Sequence, residues 1–215
     1  MARRGLAWQG TARQGYYPTI QGAVLIDFRI TITGTAPLLM HNSRLANPLD
    51  PATKVLKKAT GKRTKTDDDH EEAARLEHAG SLYLDSDIGP FIPSDNIWRC
   101  LYDAGKKHKL GVKVKEGVVI PEPVNPLAYK GPRGRDELWA DENFRHYAAV
   151  KVGMVRIMRC RPIFQGWSTE ATGILDPNVL DFQELVTIAD TAGQVIGLGD
   201  WRPRFGRFVA TVDRI

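Results

Sequence analysis

The residues best equipped for chemistry lie close to the end of the chain. Residues 195–208 read VIGLGDWRPRFGRF, where arginines alternate with aromatic rings between glycines. Arg202, Arg204 and Arg207 can donate charge-assisted hydrogen bonds to phosphate oxygens, and Trp201 and Phe205 offer faces on which bases can stack. Gly197, Gly199 and Gly206 allow positive φ or a close backbone approach to a ligand. Cations and rings at this spacing suit a flexible single strand of nucleic acid. The competing reading places Trp201 and Phe205 in the core and pairs the arginines with Asp200 and nearby acids.

Other chemistries find little support. His70, Glu71 and His78 do not form HExxH or another strong metal spacing, and the triple Asp67, Asp68, Asp69 suits the acidic first turn of a helix. Phosphate-binding P-loops, dinucleotide glycine motifs and GxSxG nucleophile turns do not occur. With only Cys100 and Cys160, neither a disulfide framework nor a CxxC site can form. No metal or cofactor is therefore expected, and a binding role is favoured over catalysis.

A net charge of +5 over 215 residues is modest, but its distribution is uneven. Basic residues gather at 54–65, 106–115, 151–161 and 202–207, and acids at 67–77 and 136–142. Segregated charge suits a polyanion better than scattered charge does. The opening MARRGLAWQG lacks an apolar run of signal-peptide length, and no stretch approaches about 18 apolar residues. Export and membrane insertion are not expected, and a cytoplasmic location is.

Residues 1–22 mix Gly, Arg, Trp and Tyr and read as an N-terminal arm. One domain is expected over 23–215, with insertions at about 40–93 and 111–146. Residues 23–33 alternate as a strand with one buried face. Residues 40–65 are polar, basic and rich in Asn, Pro and Thr, and read as a long mobile loop. Helices are expected over 67–79, from Ser94 as N-cap to about Lys109, and after an Asp176 cap with Pro177 first. Two short extended pieces flank the DSDIG turn of residues 85–89. Residues 147–160 and 164–175 read as strands of a hairpin turning at Arg161 and Pro162, and 205–212 as the last strand. The resulting fold class is α+β: a ferredoxin-like, RRM-like βαββαβ core with a long loop insertion after the first strand and extra hairpin and helix elements.

Two stretches carry a family resemblance. The run 195–208, with its Arg204, Phe205, Gly206, Arg207, resembles the glycine-rich loop that follows the last helix of Cas7-like proteins of the RAMP superfamily. Residues 91–101, FIPSDNIWRCL, are similar to that family's segment at the start of its first helix, which adds Arg99 to the candidate contacts. Asp95 departs from the family pattern and would repel an anion at that helix start.

The resemblance implies a binding subunit for single-stranded RNA or DNA, RNA favoured, which coats the strand by self-association in a CRISPR effector-like ribonucleoprotein, possible partners being other effector subunits. It also implies that the 40–65 loop crosses the strand, with Arg44, Lys54, Lys57 and Lys58 as phosphate counter-charges. Two weaker candidates follow from cleaving relatives: Asp50 for metal-assisted cleavage, and His41 as general base in the manner of Cas6-like RNases. Asp50 is equally a turn-forming residue. An endoribonuclease using His41 or Asp50, and a non-catalytic protein-interaction module, are the alternatives.

Overall fold

Alternation of side chains along the first strand sets up the core. In β1 (Ile26–Gly34), Phe28, Ile30 and Ile32 are buried while Asp27, Arg29 and Thr33 stay exposed. The computed structural model describes residues 24–215; the arm expected over 1–22 lies outside the described residues. After β1 come β2 (Leu38–Leu39), α1 (Pro51–Thr60), α2 (Asp67–Ser81), β3 (Leu84–Asp85), β4 (Gly89–Pro93) and α3 (Ser94–Lys107). Then follow α4 (Gly111–Gly117), β5 (Val118–Val119), β6 (Val124–Pro126), α5 (Arg135–Ala140), β7 (Arg145–Val152), β8 (Val155–Phe164), β9 (Ser168–Leu175), α6 (Phe182–Thr191) and β10 (Phe208–Arg214). The fold is mixed α+β with antiparallel sheets.

The largest sheet has the order β10-β1-β9-β5. β1 lies at its centre, pairing from Ile26↔Leu175 to Thr33↔Ser168 on one side and from Phe28↔Arg214 to Gly34↔Phe208 on the other. Its apolar face is covered by α3 and α6, whose Ile97, Leu101, Leu185 and Ile188 join Phe28, Ile30 and Ile32 in one cluster. Its other face is open and polar. Register places Asp213, Arg29 and Thr172 in one row across that face and Thr211, Thr31 and Glu170 in the next. Among the described residues it presents acids, Arg29 and β-branched residues but no aromatic ring on which a base could stack.

A second layer is built from the sheets β2-β8-β7 and β3-β4-β6, with α2 packed on β8 and α1 on α2. Several expectations need correction here. Residues 40–65 are not a loop: a 3-10 turn (Ser43–Ala46) leads into α1, which starts at an Asp50 cap accepting from the Ala52 N–H at 2.8 Å, with Pro51 in first position. The hairpin turns at Gly153, φ 61°, and not at Arg161 and Pro162, which lie within the β7–β8 ladder opposite His146 and Arg145. β8 and β9 therefore belong to different sheets, and the second strand of the large sheet is the two-residue β5. Ser94 opens α3 but does not cap it; that position is held by Pro93, and no side chain takes over the cap. The last helix starts five residues later than expected: Asp181 and Glu184 form a capping box, while Asp176 accepts from Asn178 in a preceding turn. The insertion over 111–146 contains α4, β5, β6 and α5.

His78 of α2 is fully buried, its ring edge-on to Trp139 with Nε2 donating to the Phe144 carbonyl at 3.0 Å. Its Nδ1 has no hydrogen-bond partner. Burial pushes its pKa down to about 4, so the folded protein holds the neutral ring while the unfolded chain takes up a proton from about pH 6.5 downward. Stability attributable to this residue is thus complete above that pH and lost as pH falls toward 4, by about 3 kcal/mol at the acid end. Urea unfolding at stepped pH should show this loss, and His78→Gln should flatten it; an equal slope in both proteins would exclude His78 as its source.

Candidate nucleic-acid interface

The glycine-rich turn connects a π-helical turn (Ala192–Ile196) at the end of α6 to β10, and it is pinned at several points by its own backbone. Asp200 donates its N–H to the Leu39 carbonyl at 2.8 Å, Gly206 to Pro37 at 2.7 Å, and Leu198 to Gly206 at 2.8 Å. A Cβ at Gly199, φ 78°, would overlap the Leu39 carbonyl, and one at Gly206, φ 72°, the Leu198 carbonyl. Gly197 is likewise closely approached by the backbone of Phe205 and Gly206. These glycines take the positive φ that the sequence allowed, and Gly199 and Gly206 lie tight against the protein's own backbone.

The alternation of rings and arginines resolves into an inside and an outside. Phe205 is 8% exposed and packs with Leu39 and Ile163; Trp201 rests half-buried against them, and His146 meets both rings edge-on. Phe205 is therefore a core residue and does not offer a stacking face. Arg202, Arg204 and Arg207 point outward, Arg204 over the Phe205 ring at 5.5 Å and Arg207 donating to the Pro203 carbonyl at 2.9 Å.

Beneath the turn lies a buried ion-pair network. Glu77 of α2, 5% exposed, accepts from Arg159 at 3.0 Å, Arg161 at 2.7 Å and the Cys160 N–H at 3.1 Å. Arg161, 8% exposed, also donates through Nε to Asp200 at 3.2 Å. The second Asp200 oxygen accepts from the Trp201 N–H at 3.0 Å. A buried carboxylate is tolerable with this many donors, and a buried guanidinium with two carboxylates. Helix α2, strand β8 and the glycine-rich turn are thus tied through one side chain.

Two surface depressions meet at Gly199 and Arg202. The narrow one, about 100 Å³, has Leu38, Met40 and Ile92 at its floor and His41, Tyr83, Asn96, Arg99 and Arg202 as polar lining. The broad one, about 750 Å³, adds Asp103, Lys106, Lys107, Asp200 and Trp201. Across both, the cations Arg99, Lys106, Lys107 and Arg202 face two carboxylates, one of which, Asp200, is already held by Arg161. Spacing along α3 puts Arg99, Asp103 and Lys106 together: Asp103 accepts from Arg99 at 3.0 Å and from Lys106 at 3.1 Å, and both cations lie over Tyr102, which stacks on Trp98. Partial burial of the His41 ring, and then the Arg161 charge, lower its pKa.

Three residues singled out in separate stretches of sequence, His41, Arg99 and Arg202, therefore share one cleft, with Trp201 beside it. Asn96 and Tyr83 were not singled out in the sequence, and Lys106 and Lys107 only as members of the basic cluster at 106–115. Arg44, Lys54, Lys57 and Lys58 line neither depression: Arg44 pairs with Asp50 at 3.3 Å, and the lysines stand exposed on α1. Asp50, occupied as a helix cap and by Arg44, is not positioned as a catalytic group. Among the described residues no group of three His, Cys, Asp or Glu could hold a metal ion, and no helix is long and apolar enough to cross a membrane. No protein-family model matches the chain, and no curated protein matches it.

Arg161→Leu leaves Asp200 without its charged partner and Glu77 with one fewer. Removing one member of such a buried group should cost about 3 kcal/mol of unfolding free energy. Urea denaturation checks this; a loss no larger than that of an exposed Arg→Leu change would contradict the role given to the network.

Proposed function

We propose that the chain binds single-stranded nucleic acid, with RNA the favoured ligand, along the surface formed by α3 and the glycine-rich turn. The observation that carries this reading is the convergence of Arg99, Lys106, Lys107 and Arg202 with the half-exposed Trp201 on one continuous surface. Guanidinium and ammonium groups meet phosphates there, and the indole offers a partial face to a base. Among the described residues the polar face of the large sheet carries Asp27, Glu170 and Asp213 against Arg29 and no ring, which argues for the loop side of the domain and against the sheet.

A ferredoxin-like core fits the order β10-β1-β9-β5 with α3 and α6 on one face, and a Cas7-like RAMP relationship fits the glycine-rich turn after the last helix. In that setting the protein coats its strand by self-association as part of an effector-like ribonucleoprotein. Exposed Met154 and Met158 on the β7–β8 hairpin support contact with a further protein surface. A second reading, RNA cleavage with His41 as general base, has one specific support: His41 lines the same cleft as Arg99 and Arg202, and burial lowers its pKa. Cleavage that disappears in His41→Ala would favour it.

Anisotropy titration of a labelled oligonucleotide over a range of salt tests the binding surface. Changing Lys106, Lys107 and Arg202 together to Ala should weaken binding and flatten the salt slope by roughly two units, about 0.7 per lost phosphate contact. An unchanged slope would reject this surface, and absence of binding at low salt would reject the function.

A further inference from the structure

Strand binding in the broad depression leaves the narrow cleft unexplained. We propose that this cleft is a site for one phosphomonoester group, and that it captures the phosphorylated end of the strand whose following nucleotides lie across the broad depression. The inference rests on the nucleic-acid reading above and adds recognition of a strand end to it.

Size is the first argument. At about 100 Å³ the cleft is well below the roughly 300 Å³ at which small-molecule pockets begin, so it admits a tetrahedral oxyanion but not a nucleoside. Lining is the second. Two arginines, an asparagine, a tyrosine and a histidine are among the residues that line it, and no aspartate or glutamate is. Asp95, which the sequence set against an anion at this helix start, is exposed and does not line the cleft; its neighbour Asn96 does. The first turn of α3, to which Asn96 belongs, has no side-chain cap, so the positive end of that helix adds to the same field.

An end phosphate differs from an internal one in its charge and its free oxygens. Leu38, Met40 and Ile92, almost wholly buried, are the apolar part of the lining. A phosphomonoester carries about −1.5 to −2 charges at pH 7 and three free oxygens, enough to engage both arginine forks. Arg99 must be drawn from Asp103, an exposed pairing of the kind that contributes little. Because Arg202 belongs to both depressions, an end held in the cleft would deliver the next nucleotides toward Trp201, Lys106 and Lys107.

Direct titration of the full chain with one short single-stranded RNA in 5′-phosphate, 3′-phosphate and unphosphorylated forms tests this, with adenosine monophosphate and inorganic phosphate as competitors. One end-phosphorylated form should bind about tenfold more tightly than the unphosphorylated strand. Asn96→Asp, which puts a carboxylate into the cleft at a helix position that favours one, should remove that preference. Equal affinity for all three strands would overturn the end site while leaving strand binding intact. Should no strand bind, competition-free binding of the monophosphate, sensitive to Asn96→Asp, would still support the phosphomonoester site and reject the strand reading; failure of both would reject both.

Discussion

A single buried guanidinium holds helix α2, strand β8 and the glycine-rich turn together. Arg161 stands on β8, reaches Glu77 on α2 with one nitrogen and Asp200 in the glycine-rich turn with another, and is almost closed off from water. In such surroundings a charge left alone is far more costly than a charge with partners, so the three elements are constrained to the one arrangement that pairs all of them. Asp200 is thereby fixed, and with it Gly199 and Arg202, the two residues at which the depressions meet.

The same pairing sets the electrostatics. Asp200 would otherwise face Arg202 and the α3 cations as an uncompensated carboxylate; held by Arg161, it leaves the surface predominantly positive. The rings contribute from the inside. Phe205 and Trp201 pack on Leu39 and Ile163, and that anchorage turns the intervening arginines outward. The proposed binding surface rests on backbone contacts within the turn, as the hydrogen bonds from Asp200 to Leu39 and from Gly206 to Pro37 illustrate.

Much of the fold was legible wherever a segment was long and periodic. The strict alternation of β1, the acidic start of α2 and the two pieces around the DSDIG turn are present as read, because local pattern and tertiary role agree there. Short or ambiguous signals failed. β5 is two residues long and has no period to read, so a strand of the β7–β8 hairpin was assigned its place; Gly153, the residue that makes the turn, lay inside an apparently continuous alternation. Prolines, asparagines and lysines masked α1, although Asp50-Pro51 is itself a helix-start signature. At the last helix the informative feature was Glu184, three residues beyond Asp181, which completes a capping box that Asp176 cannot. In the site, Arg99, Arg202 and His41 were visible one at a time. Their meeting was not, nor was the Glu77–Arg161 pair, whose members lie 84 residues apart and have no local pattern in common.

Photo-crosslinking of a thiouridine-substituted single strand, with the attachment points mapped by mass spectrometry, tests the location of the binding surface most directly. Attachment is expected within residues 96–107 and 199–204, on α3 and the glycine-rich turn. Attachment concentrated in residues 27–33 and 209–213, on the open face of the large sheet, would contradict it.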